Sequence, residues 1–279
     1  MKTVQQSAHP WHGVDAGPKS PEWVTAYIEI VPSDGVKYEL DKDTGLLRVD
    51  RPQTFSSLCP TLYGFVPRTY CGKTVAQRAM ETTGLENIEG DADPIDICVL
   101  SEKQFPHGNF LANVRPIGGF RMIDGNEADD KIIAVLQGDL TYGKFEELEQ
   151  VPVAILDRLR HYFLSYKQLP TDGPRRVIIP ETYDRAEAHQ VIERCLVDYQ
   201  VEILGKKPKR SKAAKPAAKA AKGGAAAKAP KAAKATKAVK APPAAKDEAT
   251  KTKTVRKVKP APMLAAKVAR KPAAKAKKA

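Results

Sequence analysis

The pattern of apolar and polar positions over the first two hundred residues predicts mainly strands first and helices last. Strand-like alternation or short apolar runs occur at residues 25–31, 36–40, 46–50, 96–100, 113–123 and 131–136, the fifth of these broken by glycines. Helical spacing occurs at 153–167 and 184–204, and Asp184 followed by Glu187 matches a capping box. This order predicts an α+β layout, an antiparallel barrel or sheet with helices packed on its outside.

The last quarter of the chain has a different composition, and it changes the picture of the net charge. The 279 residues carry a formal charge of +13. Residues 206–279 hold 25 Lys and Arg against two acidic residues, so residues 1–205 hold 21 basic and 31 acidic ones. An acidic domain at 1–205 is therefore joined to a basic tail at 206–279 that is rich in Lys, Ala and Pro, lacks aromatic residues and is predicted to be disordered.

The tail resembles the Lys/Ala/Pro-rich ends of linker histones. Many Lys side chains on a flexible chain can neutralise successive phosphates without reading bases, so we expect it to bind nucleic acid or another polyanion. A solubility tail and a tail that touches the acidic domain are the alternatives.

Cysteine usage and hydropathy indicate the compartment. The four cysteines form no C-x-x-C pair, which favours free thiols in a reducing cytosol. No apolar run approaches the ~20 residues of a membrane span, and no signal-peptide core follows Met1. The sequence predicts a cytoplasmic protein, with nucleoid association through the tail and no membrane partner.

The segment GDADPIDICVL at 90–100 places Asp91, Asp93 and Asp96 within six positions. A solvated turn is one reading. A calcium loop is excluded, since Ile95 stands where an oxygen ligand is needed and Asp96 where Gly is required. The third reading is a magnesium site completed by Asp124 and Asp129, because Mg²⁺ prefers carboxylate oxygens and commonly binds together with substrate phosphates.

Basic residues elsewhere are the counterpart that a phosphate substrate needs. Lys37 and Glu39 are two positions apart and therefore share a strand face. Further basic or hydrogen-bonding candidates are Arg51, Lys131, Tyr166 and Lys167. Each of these, taken alone, could merely solvate a surface.

Together these segments resemble the soluble family I inorganic pyrophosphatases. The central match is DADPID, which fits the family signature Asp-x-Asp-Pro-hydrophobic-Asp. The flanking matches, in chain order, are YIEIVP, VKYELDKDTGLLRVDR, YGFVPRTY, RPIGGFRMIDGNEADDK and HYFLSYK. The resemblance spans roughly residues 20–204 and implies Mg²⁺-dependent hydrolysis of pyrophosphate in a small OB-like barrel, with several ions per active site.

The resemblance also implies a role for each matching residue. Asp93 would be the general base, with Tyr63 close to it. Metal ligands would be Asp91, Asp96, Asp124, Asp129 and Glu39. Phosphoryl oxygens would be bound by Lys37, Arg51, Lys131, Tyr166 and Lys167. Glu29 would be a supporting carboxylate, and the chain would form a homo-oligomer, a hexamer by analogy with bacterial members.

Three departures from the family pattern are visible, and one is Gly125 after Asp124, where some bacterial members have a second carboxylate. Cys59 stands where many relatives carry Tyr, and the stretch between Tyr63 and Asp91 is longer than in compact bacterial forms, which predicts an added helix or flap at 71–90. The alternative function is a nucleoid-associated structural protein whose barrel no longer turns over. Retention of every implied ligand favours the enzyme.

Overall fold

A computed structural model describes residues 8–54, 56–168, 173–174 and 176–206, which all belong to one unit of the chain. The predicted basic tail lies outside these residues, apart from Lys206. The strands are β1 (Val24–Ile30), β2 (Val36–Leu40), β3 (Leu47–Pro52), β4 (Leu62–Phe65), β5 (Glu89–Gly90), β6 (Asp96–Leu100), β7 (Phe110–Asp124), β8 (Glu127–Ala128), β9 (Lys131–Leu136) and β10 (Val177–Asp184). The helices are α1 (Lys73–Thr83), α2 (Val153–Ser165) and α3 (Arg185–Asp198), with a 3₁₀ turn at Leu148–Gln150 and a π-helical turn at Tyr199–Ile203.

Eight strands form one mixed sheet, and β2 and β3 form a separate antiparallel hairpin. Strand order in the sheet is β1-β4-β6-β9-β7-β8-β5, with β10 paired to β7 and with β1 paired to both β4 and β7. The expectation of a purely antiparallel sheet was wrong, because β6 pairs with β9 and β5 with β8 in parallel. The alternation of apolar and polar residues within one strand does not reveal whether the strand pairs in parallel or antiparallel. The direction depends on how segments distant in the chain are connected.

Strands β6 and β9 are apolar at nearly every position because both of their faces are buried. In β6, Ile97 and Val99 belong to one apolar cluster, whereas Cys98 and Leu100 belong to another. The first cluster also takes in side chains of α1 and α3, and the second takes in side chains of α2. Helices therefore pack in both clusters.

Strand β7 runs unbroken for 15 residues although glycines interrupt its apolar pattern. A Cβ atom at Gly119 would come within 2.4 Å of the Tyr183 ring on β10, so the glycine permits close approach of the two strands. Strand β10 was not predicted from the sequence. Its pattern is broken at Pro180, and its register against β7 shifts between Ile178 and Glu181.

The helices lie within the predicted segments, but α2 ends at Ser165 and α3 ends at Asp198, earlier than predicted. Helix α1 lies within the 71–90 stretch, where the sequence predicted a helix or flap, and Asp198 caps its start by accepting the backbone N–H of Gly72 at 3.1 Å and Thr74 at 3.0 Å. At the start of α3, Asp184 accepts the Glu187 N–H at 2.9 Å, which confirms half of the capping box. The Glu187 carboxylate binds Arg78 and Arg121 instead.

Two further features are the state of the cysteines and the hydropathy of the helices. All four cysteines are buried free thiols. None of the described helices has the length and apolar character needed to cross a membrane.

Candidate active site

One cavity of about 220 Å³ gathers residues from Trp11 to Lys167 of the acidic domain. All but one of the thirteen site residues named from the sequence line it: Glu29, Lys37, Glu39, Tyr63, Asp91, Asp93, Asp96, Asp124, Asp129, Lys131, Tyr166 and Lys167. Arg51 is the exception, and its guanidinium lies over the Tyr166 ring at 5.7 Å from the centroid. Residues up to 138 positions apart in the sequence thus line the same charged cavity.

The parallel pairing of β6 and β9 creates the centre of the cavity. Asp96 and Lys131 are register partners, and the buried Lys131 ammonium contacts the carboxylates of Asp96 and Asp129. Tyr63 on β4 donates its hydroxyl to Asp96 Oδ2 at 2.6 Å. Tyr63 was expected near Asp93, whereas the contact that the structure shows is with Asp96.

The acidic loop before β6 is held by the backbone of Cys71. The Cys71 N–H donates to the Asp93 carbonyl at 2.7 Å, and the Ala92 N–H donates to the Cys71 carbonyl at 3.1 Å. A Cβ at Gly90 would lie 2.2 Å from that carbonyl oxygen, so only glycine fits there. Asp91 Oδ1 accepts the Asp93 N–H at 3.0 Å, which adds a third hydrogen bond to the turn.

Crowding of buried carboxylates perturbs their ionisation. Burial, with repulsion from Asp129, raises the pKa of Asp91 well above its usual range. Burial and Asp129 also raise the pKa of Asp96, against the opposing pull of Lys131. Burial would raise the pKa of Asp129, but attraction to the Lys131 ammonium outweighs burial, so the pKa of Asp129 is lowered. The site holds more negative charge than its own cations neutralise, which is the condition in which added cations bind.

Glu29 lies at the end of β1 beneath this cluster. Its Oε1 accepts the Leu40 N–H at 2.7 Å, so it anchors the end of β2 to the sheet. Burial, aided by repulsion from Asp96, raises the pKa of Glu29 to about 8. The supporting role of Glu29 that the resemblance implied stays a prediction.

The β2–β3 hairpin carries the first group of basic residues. Lys37 and Arg51 are register partners across it. Lys37 Nζ lies 3.4 Å from Glu39 Oε2, as expected for residues on one face, and 3.0 Å from Asp50 Oδ2. Asp50 also pairs with Arg51 and was not identified from the sequence.

The opposite wall is formed by the end of β7 and the residues after α2. Asp124 is buried at the end of β7, where Lys167 Nζ contacts its Oδ2. Arg176 Nε lies 2.7 Å from its Oδ1. Arg176 was not named from the sequence, because a single basic residue outside the predicted elements carries no distinguishing signal.

Some cavity residues gave no functional signal in the sequence: Trp11, Lys42, Phe65, Glu127, Tyr162 and Phe163. The apolar ones read as core positions. Trp11 and Lys42 come from an irregular arm and a hairpin turn, whose place beside the cavity only the tertiary structure decides.

Known proteins show which family this arrangement belongs to. A family model described as inorganic pyrophosphatase matches residues 26–200. An inorganic pyrophosphatase of Chlamydia trachomatis serovar L2 is 49% identical over 202 residues, covering 71% of this chain and 97% of the relative. The chain belongs to the inorganic pyrophosphatase family. It is accordingly an enzyme of the inorganic diphosphatase class.

Other relatives agree with this family. A soluble inorganic pyrophosphatase of Oryza sativa subsp. indica is 40% identical over 168 residues, covering 60% of this chain and 70% of the relative. The crystal structure of the inorganic pyrophosphatase from Thermus thermophilus aligns with a TM-score of 0.58 at 28% identity, covering 69% of this chain and 99% of that one. Residues 206–279 lie outside the matched family segment.

Members of this family depend on metal ions, and the donor atoms of the cavity indicate which ions it suits. Within the described residues, no three His, Cys, Asp or Glu side chains are arranged to hold one ion. The carboxylates are engaged by basic side chains instead: Asp96 and Asp129 by Lys131, Asp124 by Lys167 and Arg176. The donors are all oxygens and carry excess buried negative charge, so their chemistry fits hard divalent cations.

Proposed function

We propose that this family member hydrolyses pyrophosphate to two phosphates with Asp93 as the general base. The observation that carries the proposal is the convergence of twelve implied residues on one cavity. A cluster of carboxylates facing four basic side chains suits a substrate that carries several negative charges and arrives with divalent cations.

The proposed metal is Mg²⁺, held by Asp91, Asp96, Asp124, Asp129 and Glu39. Bound there, it would neutralise phosphoryl oxygens and lower the pKa of the attacking water. The raised pKa values of Asp91 and Asp96, which arise from burial, support this assignment because a nearby cation would relieve the cost of ionising both.

The proposed phosphate ligands are Lys37, Arg51, Lys131, Tyr166 and Lys167. Lys131 and Lys167 pair with carboxylates at the cavity wall and keep their protons, since Asp129 and Asp96 raise the pKa of Lys131 against the effect of burial. When those carboxylates gain other positive partners, both ammonium groups become available to phosphoryl oxygens. Charge-assisted bonds of this kind stabilise the leaving phosphate.

Asp93 is better placed to move a proton than the more buried Asp96, Asp124 and Asp129. Its side chain is 37% exposed, whereas that of Asp129 is 14% exposed and bound by Lys131. A carboxylate with an oxygen that water can reach is suited to accept a proton from the attacking water, and a more buried one is less suited.

Phosphate release from pyrophosphate tests the proposal directly. We expect turnover with Mg²⁺, none with excess EDTA, and loss of most turnover in Asp93→Asn, while Asp157→Asn on the exposed face of α2 serves as the matched control. No release by folded wild-type protein at saturating Mg²⁺ would favour the nucleoid-associated structural alternative. Full activity of Asp93→Asn would exclude Asp93 as the base.

We also propose that residues 206–279 form a separate tail that tethers the domain at 1–205 to nucleic acid or another polyanion. The support is its 25 basic residues against two acidic ones, which would release counterions from a phosphate backbone. DNA retention by the full chain should fall steeply with salt and vanish in a 1–205 truncation that keeps its activity. Equal retention by both proteins would contradict tethering.

We also propose an oligomeric state, a compartment and a closed sheet for this protein. The family resemblance favours a homo-oligomer, a hexamer, which light scattering of the full chain would test. A cytoplasmic location would follow from the free thiols, and nucleoid association would follow from the tail. The pairing of β1 with both β4 and β7 supports the small barrel that the resemblance implied.

A further inference from the structure

Lys42, which the family resemblance does not include among the site residues, contacts the proposed base. Its Nζ pairs with Asp93 Oδ1, and among the described residues it is the one ion-pair partner that Asp93 has. Both residues line the cavity. Because Oδ1 is covered while the side chain as a whole remains partly exposed, Oδ2 is left as the oxygen that can face an attacking water.

The backbone of Asp93 is already fixed, so the side-chain torsion is what remains to be set. Its carbonyl accepts the Cys71 N–H and its own N–H donates to Asp91. Neither bond restrains the carboxylate. The ion pair with Lys42 does, by holding one oxygen on the side of the hairpin turn.

The turn that carries Lys42 is held by hydrogen bonds of its own. Asp41 Oδ1 accepts the N–H of Thr44 at 2.9 Å and its hydroxyl at 2.7 Å, and the Gly45 N–H donates to the Asp41 carbonyl at 2.8 Å. Leu40, just before the turn, is tied to Glu29. A side chain on such a turn has a defined starting point from which to reach Asp93.

The N-terminal arm, residues 8–16, attaches this turn to the domain. The His9 ring bonds the Lys42 carbonyl through Nε2 at 3.1 Å, and Gly45 packs so closely on the ring that a Cβ would lie 2.8 Å from it. Two residues later the buried Trp11 donates from its indole to the Thr69 carbonyl at 2.8 Å.

Thr69 connects the arm to the acidic loop. Its hydroxyl accepts the Ile95 N–H at 3.0 Å, and Cys71, two residues on, holds the backbone of Asp93. The arm and the acidic loop are therefore both attached to one short segment, 66–71, and the hairpin turn is attached to the arm through His9. Their relative positions follow from these attachments.

We propose that Lys42 is a positioning residue for Asp93, and that the N-terminal arm holds Lys42 in place through His9. The inference rests on the hydrolysis proposed above. Lys42 acts by orienting the base carboxylate, so its loss should affect turnover more than substrate affinity.

The test compares kcat and KM for pyrophosphate at saturating Mg²⁺ in full-length variants. Lys42→Gln should lower kcat about tenfold while KM stays within about twofold, and Lys42→Arg should retain about half of the wild-type kcat. His9→Ala should lower kcat by about threefold. The double variant should be no slower than Lys42→Gln, since both changes release the same contact.

Lys103→Gln is the matched control, because Lys103 makes a comparable ion pair with Glu102 at 2.8 Å on the surface away from the cavity. Unchanged thermal unfolding of each variant would show that folding is intact. The inference is overturned if Lys42→Gln leaves kcat unchanged, if it raises KM alone, or if the two substitutions act additively. A wild type without phosphate release would overturn the proposed function instead, so the two failures are distinguishable.

Discussion

The guanidinium of Arg121 offers a stringent test of how the domain is held together. Arg121 lies in β7 with none of its side chain exposed. Its Nη1 lies 2.5 Å from Asp130 Oδ2 and its Nη2 lies 2.5 Å from Glu187 Oε1. It also stacks over the Tyr183 ring, 5.0 Å from the centroid, and so joins β7, β10 and α3.

The perturbation is Arg121→Met, which keeps an unbranched apolar stem and removes the charge. Glu187 keeps a partner, because Arg78 binds it at 2.9 and 2.6 Å. Asp130 is fully buried and loses its counter-charge, and burial already raises its pKa to about 7 with Arg121 opposing that rise. Removing one partner of a buried ion pair costs about 3–5 kcal/mol, a large part of the ~5–15 kcal/mol that stabilises a domain.

Urea unfolding of the full chain in EDTA at fixed protein concentration measures this cost. Tryptophan fluorescence and circular dichroism should give coincident transitions, with the midpoint lowered and the slope unchanged. Arg68→Met is the control, since Arg68 pairs at 3.0 Å with the exposed Asp15 and should cost about 1 kcal/mol or less. The double variant Arg121→Met/Asp130→Asn should recover about 1 kcal/mol or more because no buried charge is left unpaired.

A loss below about 1 kcal/mol in Arg121→Met would refute the reasoning, since it would mean that the buried network adds little beyond packing. A double variant no more stable than the single one would show that the uncompensated Asp130 is not the source of the loss.

Two further predictions concern other buried carboxylates. The pKa of Glu29 is about 8 in the folded protein, against an ordinary 4.5. Between these two pH values the folded protein keeps a proton on Glu29 that the unfolded chain has lost. The stability of the metal-free protein should therefore fall as pH rises from 4.5 to 8. Glu29→Gln should flatten that part of the pH profile in urea unfolding, and an unchanged profile would contradict the assignment. Asp198→Ala should cost about 1–2 kcal/mol because the first N–H groups of α1, including those of Gly72 and Thr74, lose their cap. Asp198→Asn should cost less, and equal losses in the two variants would argue against capping.

Local sequence patterns were sufficient for much of the fold and of the site. The apolar runs of β6 and β9 and the helical spacing of α2 and α3 predicted those elements because burial and helix periodicity are visible in neighbouring residues. The DADPID signature and its ordered flanking segments predicted the family, which the comparisons confirmed. Those same segments named twelve of the residues that line the cavity.

What the sequence could not decide depends on contacts between distant segments. Three features follow from pairings between segments far apart in the chain. They are the parallel register that sets Lys131 beside Asp96, the strand β10, which contains Pro180, and the hydrogen bond from Tyr63 to Asp96. The place of Lys42 beside Asp93 depends on an arm and a turn with no regular period. The sequence by itself determined which charges the site contains, because residue identity sets chemistry. Only the tertiary structure decided which charges meet, because long-range packing brings those segments together and sets their distances.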